Sequence, residues 1–166
     1  LTRSFGTAFV VITLLLMIQL RSVKMGIIAM VPNLVPIVLV MGFMALVDIP
    51  IDMVNILIAS IAIGIAVDDT IHFLHHFRAH HEQHGNTEAA IRNALHHSGR
   101  AMVSTTLILV IGFMAYTAGS MDNIQRFGLL ISLTAVYAML VDLIFTPAIL
   151  RTFYERPAAP PPAETT

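Results

Sequence analysis

The run MVNILIASIAIGIAVDDTIHFLHHF, residues 53–77, decides the fold class of this chain. It is almost wholly apolar up to Asp68 and Asp69, and a helix of about 20 such residues crosses the hydrocarbon core of a bilayer. Because a segment in lipid must satisfy its own backbone hydrogen bonds, the run is expected to be helical. The two adjacent carboxylates then need an explanation, since charge inside a bilayer is costly.

The composition of the whole chain also indicates a membrane protein. Hydrophobic residues make up 57% of its 166 residues and charged residues only 11%, against about 25% charged in soluble domains. The net charge of -1 gives no indication of a nucleic-acid partner. The chain has no cysteine, which excludes disulfides and thiolate chemistry. We predict no cofactor and no enzymatic activity.

Five apolar segments follow one another along the chain, and they predict an all-α, polytopic membrane bundle with five transmembrane helices. The expected spans are about 4–20, 25–47, 52–77, 101–118 and 127–153, within one membrane domain over residues 1–154. Residues 78–100 form a polar, histidine-rich connection, in which Asn86 to Glu88 predict the start of a short amphipathic helix at the interface. The Pro/Ala-rich tail, 155–166, is expected to be disordered.

The basic residues predict the orientation of these spans, because cytoplasmic loops carry an excess of Lys and Arg. One set of loops holds seven of the nine basic residues, and the opposite set holds Arg3 and Arg126. The prediction is a multi-pass protein of the plasma (bacterial inner) membrane, with the histidine-rich loop and the C-terminus in the cytoplasm. The N-terminus is then extracytoplasmic, and because the chain starts at Leu1 we expect a further extracytoplasmic part before it.

Acids inside a membrane usually mark ion or proton pathways, so we interpret Asp68 and Asp69 as a proton relay. Two neighbouring carboxylates exchange protons as a coupled unit. His72 follows them by four and three residues and can approach either side chain on a helix. An alternative is that the acids only hold helices together through hydrogen bonds to hydroxyl groups.

The other candidate residues are partners of this relay. The fourth segment offers three consecutive hydroxyl groups that we expect to meet the acids: Ser104, Thr105 and Thr106. Asp142, a third acid within an apolar segment, is either a second relay member or a structural group hydrated at the interface. Gly64 lies one turn before Asp68 and predicts close packing of a neighbouring helix.

The motifs GIAVDDTIHFLHHFR, SGRAMVSTTLILVIGFMAY and FGLLISLTAVYAMLVDLIFTPAIL, in this order, resemble the resistance–nodulation–division (RND) superfamily of transporters. The likeness covers nearly all of residues 1–154 and is greatest to the lipid-exporter (MMPL-type) and Patched/Dispatched-like branches. It is carried by Gly64, Asp68 and Asp69 with the later Gly112, which we expect to pack closely as Gly64 does. The same five-helix unit resembles a sterol-sensing domain.

The resemblance implies a function and partners. Members have two repeats, each with one helix, a large extracytoplasmic porter domain and five further helices, and this chain resembles the last five helices of the C-terminal repeat. The implied function is export of lipids or other hydrophobic substrates by proton antiport, with Asp68 and Asp69 as relay acids. Implied partners are membrane lipids and the missing first repeat and porter domain, with an oligomer left open. Drug-efflux members place a Lys in the second repeat, and the third segment has none.

Two rival functions remain. The eight histidines include His72-x-x-His75-His76 and His76-x-x-x-His80-His81, which are similar to the histidine boxes of membrane di-iron enzymes. We favour a solvated cytoplasmic face instead, because the boxes would share one continuous helix, and we predict no metal. The second rival is a non-transporting sterol- or lipid-sensing membrane domain, which needs no proton relay.

Overall fold

A computed structural model describes residues 2–50 and 53–154, without the side chains of residues 2–5, 8, 53–56, 59 and 62. Five long helices follow one another: α1 (Thr2–Gln19), α2 (Val23–Leu46), α3 (Met53–His84), α4 (Thr87–Met114) and α5 (Asp122–Tyr154). A short 3₁₀ helix, Ala115–Ala118, continues α4. The described residues contain no strand. The prediction of an all-α helix bundle is therefore confirmed, while the predicted tail lies outside the described residues.

Two of the turns between helices are short and are built by local capping. Arg21 adopts a positive φ of 46° between α1 and α2, and the Ser22 hydroxyl then accepts the backbone N–H of Met25 at 3.3 Å. Between α3 and α4, Gly85 has a φ of 65°, and the Asn86 side chain accepts the N–H of Ala89 at 3.1 Å. Such caps satisfy backbone donors that a helix start leaves unpaired. The helix start predicted at Asn86 is where α4 begins.

The connection over residues 78–100 differs from the prediction of a polar loop with a separate short helix. α3 continues to His84, α4 begins at Thr87, and two residues separate them. The apolar face of this segment, which includes Ala90, Ile91 and Ala94, is buried in the bundle rather than free to lie on an interface. Its amphipathic pattern reflects packing against the neighbouring helices. α4 runs without a break from this segment into the fourth apolar segment of the sequence.

Three stretches are long and apolar enough to cross a membrane among the described residues: Val23–Leu46, Thr87–Ala118 and Asp122–Tyr154. Phe9–Gln19 is a shorter apolar helix. The outer surface of α4 is markedly apolar, with exposed Val103, Leu107, Ile108 and Ile111. Exposed apolar side chains on this scale favour lipid or another helix as neighbour.

Two apolar clusters hold the helices together. One, at the end where α3 meets α4, includes Phe73, Phe77 and Leu150, and we call this the histidine-rich end. The other cluster includes Val40, Ile58 and Leu130 toward the opposite end. In each of α2, α3 and α5, the residues between the two clusters include buried polar side chains.

Glycines mark two close approaches, but they are not the glycines that the sequence predicted. A Cβ atom on Gly26 would collide with Met17, and one on Gly128 would collide with the carbonyl of Phe113. At Gly64 and Gly112 an added Cβ would meet no atom of the described residues within 4 Å. Among the described residues, neither Gly64 nor Gly112 makes the close helix contact that the sequence predicted, and both are exposed.

Candidate functional site

The two adjacent aspartates lie in different surroundings, as expected for neighbours that point about 100° apart on a helix. The Asp68 side chain is 75% exposed, and its Oδ1 lies 3.8 Å from Nε2 of His72, which is 68% exposed. Asp69 is half-buried. One carboxylate can thus exchange protons with water while its neighbour faces the protein.

Asp68, Asp69 and His72 all line a groove of about 280 Å³ between α3 and α4. The Ser98 hydroxyl, at its edge, donates to the backbone carbonyl of His72 at 3.2 Å and so ties α4 to α3 beside the acids. The lining combines carboxylates, imidazoles, hydroxyls and apolar side chains: Ile65, Asp68, Asp69, His72, His76, His97, Ser98, Ala101, Met102, Thr105 and Leu109. We call this the α3–α4 groove.

The three predicted hydroxyl partners are separated by the turn of α4. Thr105 lines the groove with the two acids, although its own hydroxyl bonds to carbonyls of α4. Ser104 is exposed and donates to the carbonyl of Arg100 at 3.0 Å. The Thr106 hydroxyl is buried and has no hydrogen-bond partner among the described residues. The structure brings Thr105 to the acids and leaves Ser104 and Thr106 away from the groove lining.

Asp142 lies in a second polar site, buried where α2, α3 and α5 meet. It is 2% exposed, so the expectation that it hydrates at an interface is wrong for this arrangement. Its Oδ1 lies 2.8 Å from the hydroxyl oxygen of Thr70, and the hydroxyl of Thr146 donates to it at 3.0 Å. Thr70 Oγ1 also lies 2.9 Å from Oδ1 of Asn33. We call these four residues the Asp142 cluster.

Three members of the Asp142 cluster were not among the sequence-predicted site residues. Asn33 is the only uncharged polar side chain of α2, and it stands between two prolines in an otherwise apolar helix. A lone amide in such a segment indicates a buried hydrogen-bond partner, because an unpaired polar group in lipid is costly. Thr70 and Thr146 gave a weaker signal, since threonine can also bond to its own helix.

The two polar sites are connected along α3. Asp69 belongs to the α3–α4 groove, and the next residue, Thr70, belongs to the Asp142 cluster. The two sites therefore meet at consecutive residues of one helix.

The histidines form ring contacts rather than a metal cage. His76 of α3 stacks on His97 of α4 with centroids 5.8 Å apart, and His80 stacks on His84 at 4.3 Å. Among the described residues, no group of three or more His, Asp or Glu side chains is placed to hold a metal ion. At the same end the Tyr154 ring packs edge-on against Phe77, with centroids 5.5 Å apart.

These features define a membrane helix bundle with acids inside its apolar segments, as in transporters of the RND type. The sequence model of the MMPL family matches residues 2–165, and the chain belongs to this family. The family resemblance predicted from the three motifs is thus confirmed.

Two relatives have names that state only that they are membrane proteins. MJ1562 of Methanocaldococcus jannaschii is 28% identical over 151 residues, which are 90% of this chain and 39% of the relative. SCO6666 of Streptomyces coelicolor is 31% identical over 93 residues, which are 55% of this chain and 13% of the relative. The chain therefore spans well under half of either protein. No solved structure gives a significant match.

Proposed function

We propose that this chain is a membrane half-domain of an RND-type exporter driven by the proton-motive force. The observation that carries the proposal is the α3–α4 groove, which places an exposed and a half-buried carboxylate side by side in a chain of a transporter family. In this mechanism Asp68 exchanges protons with water, and Asp69 passes the change in charge to the protein interior. Intramembrane acids with access to water are the usual carriers of such pathways.

Histidines give the relay its proton path. His72 lies 3.8 Å from Asp68, a distance that a small rotation closes to a hydrogen bond. His76 and His97 line the same groove and extend it toward the histidine-rich end. Since a neutral imidazole ring can donate a hydrogen bond from one nitrogen and accept one at the other, these side chains suit delivery of protons to the acids.

The proposed orientation rests on the distribution of basic residues, and the proposed substrates and partners rest on the family resemblance. The distribution of Lys and Arg supports a plasma-membrane protein with the histidine-rich end in the cytoplasm. Family resemblance supports lipids or other hydrophobic molecules as substrates, and a first repeat and porter domain as partners. The exposed apolar side chains of α4 offer a surface for lipid or for that repeat.

The test is proton-coupled export by the full-length protein in proteoliposomes with an imposed pH gradient. Asp68→Asn and Asp69→Asn each keep the size of the side chain and remove its titration, and we expect both to reduce export at least tenfold. Asp48→Asn is the matched control: Asp48 is exposed in the α2–α3 turn with a φ of 52°, a conformation that asparagine accepts well. If both relay variants export as the control does, the relay is refuted and a lipid-sensing domain becomes the better assignment.

A further inference from the structure

The hydroxyl group of Thr70 has more acceptors around it than it can serve. Asp142 Oδ1 lies at 2.8 Å, Asn33 Oδ1 at 2.9 Å and the carbonyl oxygen of Ala66 at 3.0 Å. A threonine hydroxyl has a single hydrogen to donate, and an ionised carboxylate can only accept. With Asp142 ionised, at least one of the two side-chain oxygens faces Thr70 without a hydrogen between them.

Turning the Asn33 amide does not remove the conflict. In the present orientation its Nδ2 donates to the carbonyl oxygen of Ala29 at 2.9 Å. Exchanging the amide nitrogen and oxygen would direct a hydrogen at Thr70, but it would set two oxygens against each other at Ala29. The hydrogen bond to Ala29 therefore fixes which end of the amide faces Thr70.

The charges around Asp142 do not favour a carboxylate either. None of the ion pairs formed by the described residues includes Asp142. Lys24, the one charged residue of α2, lies against the Tyr154 ring, 4.7 Å from its centroid. Asp69, the residue before Thr70 on α3, is itself an acid and supplies no cation. A buried carboxylate without a cation is strongly disfavoured in a protein interior.

We propose that Asp142 is a second protonation site, and that its neutral carboxyl group joins α5 to α3 and α2 in this conformation. The carboxyl O–H donates to Thr70 Oγ1, the Thr70 hydroxyl donates to Asn33 Oδ1, and the Asn33 amide donates to the carbonyl of Ala29. Each of these hydrogens is then used once, in one chain across three helices. Loss of the proton leaves the electron pair on Asp142 and removes the donor that starts the chain.

This proposal deepens the proposed function, because it supplies a helix contact that depends on a proton. It also rests in part on that function, since the proton matters for export only if the groove acids carry protons. The protonated state of Asp142 is inferred from its hydrogen-bond geometry and its burial, not from export, so the two can fail separately.

The experiment is infrared difference spectroscopy of the full-length protein in lipid nanodiscs near neutral pH. We expect Asp142→Asn to lose one band of a protonated carboxyl group, whereas the exposed control Asp48→Asn loses none. Retained helical circular dichroism shows that the variant is folded. A folded Asp142→Asn protein whose carboxyl bands match the wild type overturns the proposal.

A second variant keeps the test decisive if Asp142→Asn does not fold. Thr70→Val keeps the shape of the side chain but removes the acceptor of the carboxyl O–H, so the Asp142 band should shift. Thr134→Val is the control, because Thr134 is equally buried but donates to Leu130 of its own helix at 2.6 Å. An unchanged band in Thr70→Val overturns the proposal. If instead the bands behave as expected but the groove variants still export, the proposed function fails and this inference stands.

Discussion

Replacing Thr70 by valine is expected to destabilise the three-helix junction without creating a cavity. Valine has nearly the same shape, so the substitution removes the hydroxyl and leaves the packing of a side chain that is 0% exposed. Two contacts between helices are lost, at 2.8 Å to Asp142 and 2.9 Å to Asn33. Hydrogen bonds between helices in membranes contribute about 0.6 kcal/mol on average and up to about 1.7 kcal/mol. The expected loss is therefore about 1–3 kcal/mol.

The assay is equilibrium unfolding of the full-length protein in mixed detergent micelles, with Thr134→Val as the reference. Among the described residues, the Thr134 hydroxyl bonds to a carbonyl of its own helix, and such back-bonding adds little to helix stability. The reference variant should therefore stay within about 0.5 kcal/mol of the wild type. A three-helix contact through Thr70 is refuted if Thr70→Val and Thr134→Val lower the free energy of unfolding by the same amount relative to the wild type.

Three further predictions test other parts of the structure. Gly128→Ala should cost about 1–3 kcal/mol because its methyl group meets the carbonyl of Phe113 in the last turn of α4, whereas Gly112→Ala should be neutral or stabilising by up to about 1 kcal/mol; equal melting temperatures would contradict this. Asn86→Ala removes the cap of α4 and should cost about 0.5–2 kcal/mol in chemical unfolding, and an unchanged midpoint would show that the cap is dispensable. His72→Ala should slow proton-coupled export more than His75→Ala, because His72 lines the groove and contacts Asp68; equal rates would remove His72 from the proton path.

The sequence predicted the helix bundle well because apolar length is a strong signal in a membrane protein. Five apolar segments gave five helices, and Asn86 marked the start of α4. The polar segment 78–100 was misjudged for a physical reason. Its alternation of apolar and charged residues fits an interfacial helix as well as one packed on the bundle, and only the tertiary contacts distinguish the two.

The candidate site was predicted in part. Helical spacing alone brings His72 near Asp68 and separates the directions of the two aspartates, so these features needed no structure. The Asp142 cluster depends on which faces of α2, α3 and α5 meet, and that is not encoded in the spacing within any one helix. The same limit explains why Thr105 reaches the groove while Ser104, one residue earlier, does not.

The length of α3 has a mechanical consequence. Its 32 residues make a rod about 48 Å long, which is about 18 Å longer than the hydrocarbon core of a bilayer is thick. Asp68 and Asp69 lie near the midpoint of this rod. A small tilt about that point is magnified at its tip, where Gln83 and His84 are exposed. If the relay works as proposed, spin labels on this tip and on the start of α4 would report protonation of Asp68 or Asp69 from an exposed position.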